Sequence, residues 1–429
     1  IYNGIQKLAA GTYLIVENGN AEIKRWWNSK PHTFDPTPKE AQVKEELLEL
    51  YRQAVKSHLM SDVPIGILLS GGVDSSLLLA LMNEFGENWK SFTVGFGKSF
   101  FEDELEDAKE TADIFNSPHY SIKINQERFE DTLSKIIACV EEPIASSSIV
   151  PMYHVCQKAR QGVKVALMGQ GPDELFGGYA RHLGVYYGKY WRSIPRTMRK
   201  PIGKLLSTIS KSEPIRRGLN SLEVSQKMIR YQHVFSVMSG SIIDGLFQDE
   251  VLPEGTGDYI LDSWKDLETL IEKTDDLNGF QYLEIRSSLP DELLMYGDKL
   301  SMAHGLEIRV PYLDQKIVEY VEQLPSNYHI RFGIQKWIHK QVCSDYLPKQ
   351  IIKRKKRGFA ANVVNKWFKE SLSHEFSGIL LDKSSLMYEF LKPKKVLSLY
   401  KDHTDGKEVN YKILFSLIVL EKWLRDNGS

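Results

Sequence analysis

The period at which apolar residues recur changes along this chain, and the changes mark out its elements. Residues 1–28 alternate in short pieces: Thr12–Val16, a turn at Asn18-Gly19-Asn20, then Ala21–Trp27. Period two on both sides of an Asn-Gly turn predicts a β-hairpin. A lone hairpin is marginally stable, so it is expected to be the trailing edge of a domain lying upstream. Residues 29–38, with Pro31, Pro36 and Pro38, read as an extended linker, because proline fixes φ. From Lys39 to Leu59, the residues Val43, Leu47, Leu48, Tyr51 and Val55 fall at helical spacing. Strands are then predicted at Ile65–Leu69, Lys90–Phe96, Tyr120–Ile124 and Val163–Met168. Helical patterns separate them, after Ser70, from about Asp103 to Asn116, and from Gln126 to Val140. That rhythm predicts an α/β fold, a doubly wound parallel sheet with ligands outside the carboxyl ends of its strands. Beyond about Tyr190 the pattern turns helical to the C-terminus, as in Tyr411–Trp423. The expected organisation is a sheet part at 39–189 and a helical part at 190–429.

The stretch Pro64-Ile-Gly-Ile-Leu-Leu-Ser70-Gly71-Gly72-Val73-Asp74-Ser75-Ser76 organises the sheet. Gly71 and Gly72 let the backbone approach a ligand closely, and the helix that follows offers unpaired N–H groups at the positive end of its dipole. An anion fits there. Asp74 beside that anion is unfavourable unless a divalent cation such as Mg²⁺ lies between them, so the loop reads as a magnesium-nucleotide site. Two glycines alone would suit a plain strand-to-helix turn capped by Asp74 or Ser75; seven consecutive fitting residues favour the anion. No Gly-Lys-Ser/Thr follows and no G-x-G-x-x-G occurs.

Gly169-Gln170-Gly171-Pro172-Asp173-Glu174-Leu-Phe-Gly177-Gly178-Tyr179 follows the fourth strand. Its acidic pair could merely charge a helix N-terminus, but its place at a strand's carboxyl end lets Asp173 reach the cation of Asp74. The block Leu289–Asp314 mixes charged and apolar residues, among them Asp298, Glu307 and Arg309. For Glu307 and Arg309, acceptor binding and a structural salt bridge stand level. Lys353-Arg-Lys-Lys356-Arg-Gly358-Phe359 is a basic run that reads as a loop delivering a lysine to phosphates, with a solvated face as the alternative. Lys336 is a weaker candidate for that lysine and reads first as a surface helix cation, and His119 reads as a strand tether.

Charge narrows the partners. Fifty-five basic against 56 acidic side chains give a net charge of −1, so no global field favours nucleic acid or anionic membrane. Small molecules are the expected partners. Cys139, Cys156 and Cys343 are too few and scattered for a disulfide framework or a zinc site, and no run of about 18 apolar residues occurs. A cytoplasmic protein with reduced thiols is expected.

Ser70-Gly-Gly-Val-Asp-Ser-Ser76 resembles the pyrophosphate loop of the ATP-pyrophosphatase superfamily. With Ser91-Phe-Thr-Val-Gly-Phe96, Gly169–Tyr179, the Asp298–Asp314 block and Arg354-Lys-Lys-Arg-Gly-Phe359 in order, nearly the whole chain resembles the glutamine-hydrolysing asparagine synthetase family. The resemblance implies ATP and Mg²⁺ as cofactors, adenylation of a carboxylate with aspartate favoured, and attack by ammonia. It implies that Leu68, Val94, Gly95 and Gly169 hold adenosine and that Ser70, Gly71, Gly72, Val73, Asp74, Ser75 and Ser76 hold pyrophosphate. Asp74 and Asp173 would bind the metal, and Glu174, Gly177, Gly178, Asp298, Glu307 and Arg309 the acceptor. Lys356, Asp173 and Gln170 are the catalytic candidates. The hairpin looks like the end of that family's glutaminase domain, whose nucleophilic cysteine has no counterpart here, so ammonia is expected from an upstream domain; a homodimer is a candidate assembly. One departure stands out. The family usually has an acidic residue, a candidate for taking ammonia's proton, where this chain has Gln170, which cannot ionise. Other acceptors, such as sugar acids or peptides, and a catalytically weak nucleotide-binding regulator remain alternatives.

Overall fold

The computed structural model describes residues 4–28, 37–97, 103–195, 197–199, 201–203, 221–236, 240–251, 258–354, 361–370 and 374–427. Strands β1 (Thr12–Glu17) and β2 (Asn20–Arg25) pair antiparallel around Asn18-Gly19, both at positive φ as a tight hairpin turn requires. The Trp27 indole donates to Glu319 Oε1 at 3.0 Å and lies 4.8 Å under the Arg286 guanidinium, tying the hairpin to the body.

The central sheet runs β5-β4-β3-β6-β7, with every pair parallel. Its strands are β3 (Ile65–Leu68), β4 (Lys90–Gly95), β5 (His119–Lys123), β6 (Val165–Met168) and β7 (Glu307–Arg309). Alternation of side chains across the pleat sends Ile67 and Leu167 into one core and Leu68 and Ala166 into another. Both faces are therefore buried, as a doubly wound sheet requires. One face carries α1 (Glu40–His58), whose Val43, Leu47, Tyr51, Ala54 and Val55 are buried, and α2 (Val73–Met82), buried from Ser75 to Met82. The other carries α4 (Gln126–Val140) and α5 (Ile149–Arg160), α3 (Leu105–Ile114) lying between β4 and β5 in the chain. Asn125 caps α4 by accepting from the Arg128 N–H at 3.0 Å.

The chain runs outward from β3 through β4 to β5, then returns to lay β6 on the other flank of β3. That reversal is the topological switch point, where a crevice opens at the carboxyl ends of β3 and β6. The expectation of an all-helical second half needs correction, since β7 completes the sheet beside β6. Three residues, Glu-Ile-Arg, are too short and too charged to announce a strand. His119 opens β5 and meets Ser91 Oγ through Nδ1 at 2.9 Å, the predicted tether. Cys156 and Cys343 are buried and Cys139 half-buried, all three free. Among the described residues no helix is long and apolar enough to cross a membrane.

Candidate active site

Two glycine-bearing loops meet at the switch point, one from each central strand. After β3, Gly71 adopts φ +74°, and a Cβ there would lie 2.4 Å from the Asp107 carbonyl carbon, so α3 packs on bare backbone. The Ser70 hydroxyl accepts from the Gly72 N–H at 3.2 Å and meets Ser75 Oγ at 3.0 Å, curling the loop onto the first turn of α2. After β6, a Cβ on Gly169 would sit 3.0 Å from the Ser75 nitrogen, which sets how closely the loops approach. Gly171 (φ +114°) and Gly177 (φ +71°) then bracket the short helix α6 (Pro172–Phe176).

Between the loops sits Lys336, the residue that opens α8 (Trp337–Cys343) in left-handed conformation, φ 54°. Its ammonium lies 2.7 Å from Asp74 Oδ2 and 2.7 Å from Asp173 Oδ1, and the residue is only 6% exposed. This corrects the sequence expectation of a surface cation. Helical periodicity cannot reveal that the first residue of a helix points into a cleft. Burial alone would lower the Lys336 pKa; the two carboxylates more than reverse that and hold it above its ordinary value. Burial would likewise raise Asp74, but Lys336 and then His339 hold it well below the usual carboxylate range. Gly178 makes room for the cluster: a Cβ would fall 2.0 Å from Asp173 Oδ1 and 2.3 Å from Lys336 Cε.

Asp74 and Asp173 thus converge on one ammonium, whereas the sequence predicts that they share a divalent cation. Hard carboxylate oxygens at this spacing fit Mg²⁺, which takes one or two carboxylates and completes its shell with phosphate oxygens and water. Among the described residues no group of three or more His, Cys, Asp or Glu forms a cage of its own.

The loops open into a cavity of about 1500 Å³. Leu68, Val94 and Gly169 line it, as do Ser70 to Ser75. Ser76 and Gly95 do not. Ser76 is fully buried behind the loop, and Gly95 is a packing glycine whose Cβ would strike Leu105 Cγ at 2.4 Å. Gln170, Asp173 and Gly178 reach the cavity, whereas Glu174 and Gly177 stand behind its wall. Glu174 is fully buried, accepts from the Tyr179 hydroxyl at 2.5 Å, and lies 3.4 Å from the Gln170 amide nitrogen. Burial, then the neighbouring Asp173 charge, pushes its carboxyl up to about 7.

Three acceptor candidates are displaced from the site. Asp298 is exposed on a helix away from the cavity. Arg309 donates to Glu307 Oε1 at 2.6 Å and to the His58 and Met60 carbonyls at 2.7 and 2.8 Å. It therefore ties the edge strand to the end of α1, which resolves the tie toward a structural bridge. Lys356 falls in 355–360, outside the described residues. The root of its basic run does reach the phosphate loop. Arg354 donates to the Gly71 carbonyl at 2.6 Å, the Asp107 carbonyl at 3.0 Å and Thr111 Oγ1 at 2.7 Å.

The end of the cavity away from the glycine loops is walled by α7 (Ala180–Ser193) and residues near Phe235 and Tyr296. There Arg181 stacks 4.3 Å over the Tyr179 ring and donates to buried Glu284 Oε1 at 2.7 Å. Glu292 also faces this end, from a π-helical turn (Leu289–Leu294), and burial raises its pKa. Such turns recur at functional sites, but nothing in the local residue pattern marks one.

The asparagine synthase family model matches residues 46–425, a span containing both loops, Lys336 and the basic run. The chain belongs to the asparagine synthase family. It is 27% identical to "Asparagine synthetase [glutamine-hydrolyzing] 1" of Bacillus subtilis over 426 residues, 98% of this chain and 65% of that protein. Over 192 residues, 41% of this chain and 34% of the relative, it is 33% identical to "Asparagine synthetase B [glutamine-hydrolyzing]" of Escherichia coli. It is also 23% identical over 401 residues to "Amidase chyE" of Penicillium rubens, 83% of this chain and 58% of that protein. The chain spans under two thirds of the length of these relatives. The matched span thus holds the glycine loops with their shared ammonium at one end of the cavity and α7 with the Glu174 cluster at the other.

Proposed function

We propose that this chain couples ATP cleavage to amide formation. A carboxylate oxygen of the acceptor attacks the α-phosphorus and pyrophosphate leaves; ammonia then attacks the acyl carbon, releasing AMP and one proton. The observation that carries this reading is the convergence of Asp74 and Asp173 on one cation beside a Gly71-Gly72 anion loop at the switch point. The loop N–H groups and the α2 dipole bind the departing pyrophosphate. Asp74 and Asp173 would hold Mg²⁺, which neutralises phosphate charge when bound. Lys336 keeps the two carboxylates together, and Lys356 is assigned, by resemblance to the family, to charge developing during adenylation. Gln170 cannot take a proton, so ammonia's proton leaves to another group or to water.

Aspartate is the leading acceptor, with ammonia supplied by a glutaminase segment such as the longer relatives' names imply. A second reading, a bulkier carboxylate, is favoured by the apolar stretch of cavity wall at Val185, Leu222 and Phe235, which aspartate has no apolar group to fill. Measuring AMP and pyrophosphate with ATP, Mg²⁺, ammonium and a panel of carboxylates tests both. AMP formation dependent on a carboxylate is expected; its absence with every acid would return the chain to a nucleotide-binding role.

A further inference from the structure

We propose that His339, held by Tyr51, is a positioning residue for Asp74. It engages one carboxylate oxygen and so leaves the other aimed at the cation shared with Asp173. The inference rests on the reading of Asp74 as a cation-facing carboxylate.

His339 is fully buried, with Nε2 3.1 Å from Asp74 Oδ1 and Nδ1 2.8 Å from the Tyr51 hydroxyl. Its ring cannot turn freely. It stacks on Phe176 at 5.3 Å and 26°, and meets Tyr312 edge-on at 5.6 Å and 84°. These contacts select the tautomer. A carboxylate oxygen only accepts, so Nε2 must carry the hydrogen; Nδ1 then presents a lone pair, and the Tyr51 O–H donates to it. The opposite tautomer would set a lone pair against the carboxylate.

Asp74 is thereby held at three points. Oδ1 lies 3.1 Å from the imidazole Nε2, Oδ2 accepts from Lys336, and its backbone carbonyl accepts the Tyr312 hydroxyl at 2.9 Å. His339 lies three residues after Lys336, so one turn of α8 presents both groups to the same carboxylate. Mg²⁺ demands near-ideal octahedral geometry, and a ligand oxygen free to rotate meets that demand poorly. Outer partners that orient metal ligands are typically worth ~10–100-fold in metal affinity.

The test measures Mn²⁺ binding in the presence of pyrophosphate by electron paramagnetic resonance, without turnover, on wild type, His339→Leu, His339→Gln and Tyr51→Phe. His339→Leu should weaken Mn²⁺ binding by ~10–100-fold. His339→Gln, whose amide N–H reaches a similar place, should recover most of that loss. Tyr51→Phe, which keeps the packing and removes one hydroxyl, should show a smaller loss and keeps the test valid if His339→Leu does not fold. Nitrogen-15 spectra of the metal-free protein should show the Nε2–H tautomer. A protonated Nδ1, or equal Mn²⁺ affinity in all variants, overturns the positioning role alone. Wild type that binds no Mn²⁺ with pyrophosphate overturns the cation site and this inference together.

Discussion

The phosphate end and the acceptor end of the cavity are built on opposite plans. The phosphate end is mostly backbone: glycines at 71, 72, 169 and 178 clear the space, and one ammonium bridges two partly accessible carboxylates. The acceptor end is side chain on side chain, with Glu174 and Glu284 fully buried and held by Tyr179, Arg181 and His182. Backbone anion sites are tied to short sequence strings because a turn needs particular residues in a row. Side-chain networks draw their members from distant helices. On the proposed function, the first kind of site would carry chemistry common to many acceptors and the second would choose among them.

The largest effect should come from removing the bridging cation. Lys336→Met leaves Asp74 and Asp173 facing each other, and loss of one partner of a buried pair costs about 3–5 kcal/mol. Chemical denaturation should show that loss, with AMP formation abolished; a wild-type midpoint would mean that the bridge does not hold the site together. Next comes Gly178→Ala, whose methyl group would overlap Asp173 and Lys336. A displacement of ~1 Å at the reacting centre costs about 100-fold in rate. Gly184→Ala, with nothing within 4 Å of the new Cβ, is the control at the acceptor end. It should gain about 0.5–1 kcal/mol in stability, read by denaturation, because alanine suits a helix interior better.

Glu174→Gln probes the buried carboxyl network. Its folded pKa, about 7, lies above the unfolded value near 4.5, so the native state binds the extra proton between those limits. Stability should fall as pH rises from about 4.5 to 7 and level off above, a penalty of order 3 kcal/mol. Urea denaturation against pH should show that slope in wild type and lose it in Glu174→Gln; equal slopes would mean the carboxyl does not titrate in this window. The smallest effect is expected from Glu307→Gln at the sheet edge. An ion pair this exposed contributes ~0–1 kcal/mol, and AMP formation should stay within about twofold of wild type. A loss of acceptor affinity there would restore Glu307 to the site.

The same contrast explains what the sequence made legible. Strands β3 to β6 and the hairpin were readable because each is a local apolar run beside a Gly, Pro or Asn break. The loop from Ser70 to Ser76 was legible for that reason, and all of it but Ser76 lines the cavity. β7 was not, since its three residues become a strand only through pairing with β6. Lys336 was misplaced and His339 went unread because their importance comes from Asp74, 262 and 265 positions earlier, the first separation being that of the bridging hydrogen bond. Glu307 and Arg309 looked functional because charges in an apolar block have two explanations, and only the His58 and Met60 carbonyls distinguish them.

The bridge also sets a clock. Ribosomes extend a chain at about 5–20 residues per second, so the 262 residues between Asp74 and Lys336 take roughly 13–50 s to emerge. Once Asp173 has also emerged, the nascent chain carries both acidic loops without the ammonium that joins them. Sheet pairing has its own delay, because Ile65 must wait for Val165 before β3 gains its inner neighbour. A ribosome stalled before residue 336 would therefore hold a chain whose two acidic loops lack the ammonium that joins them.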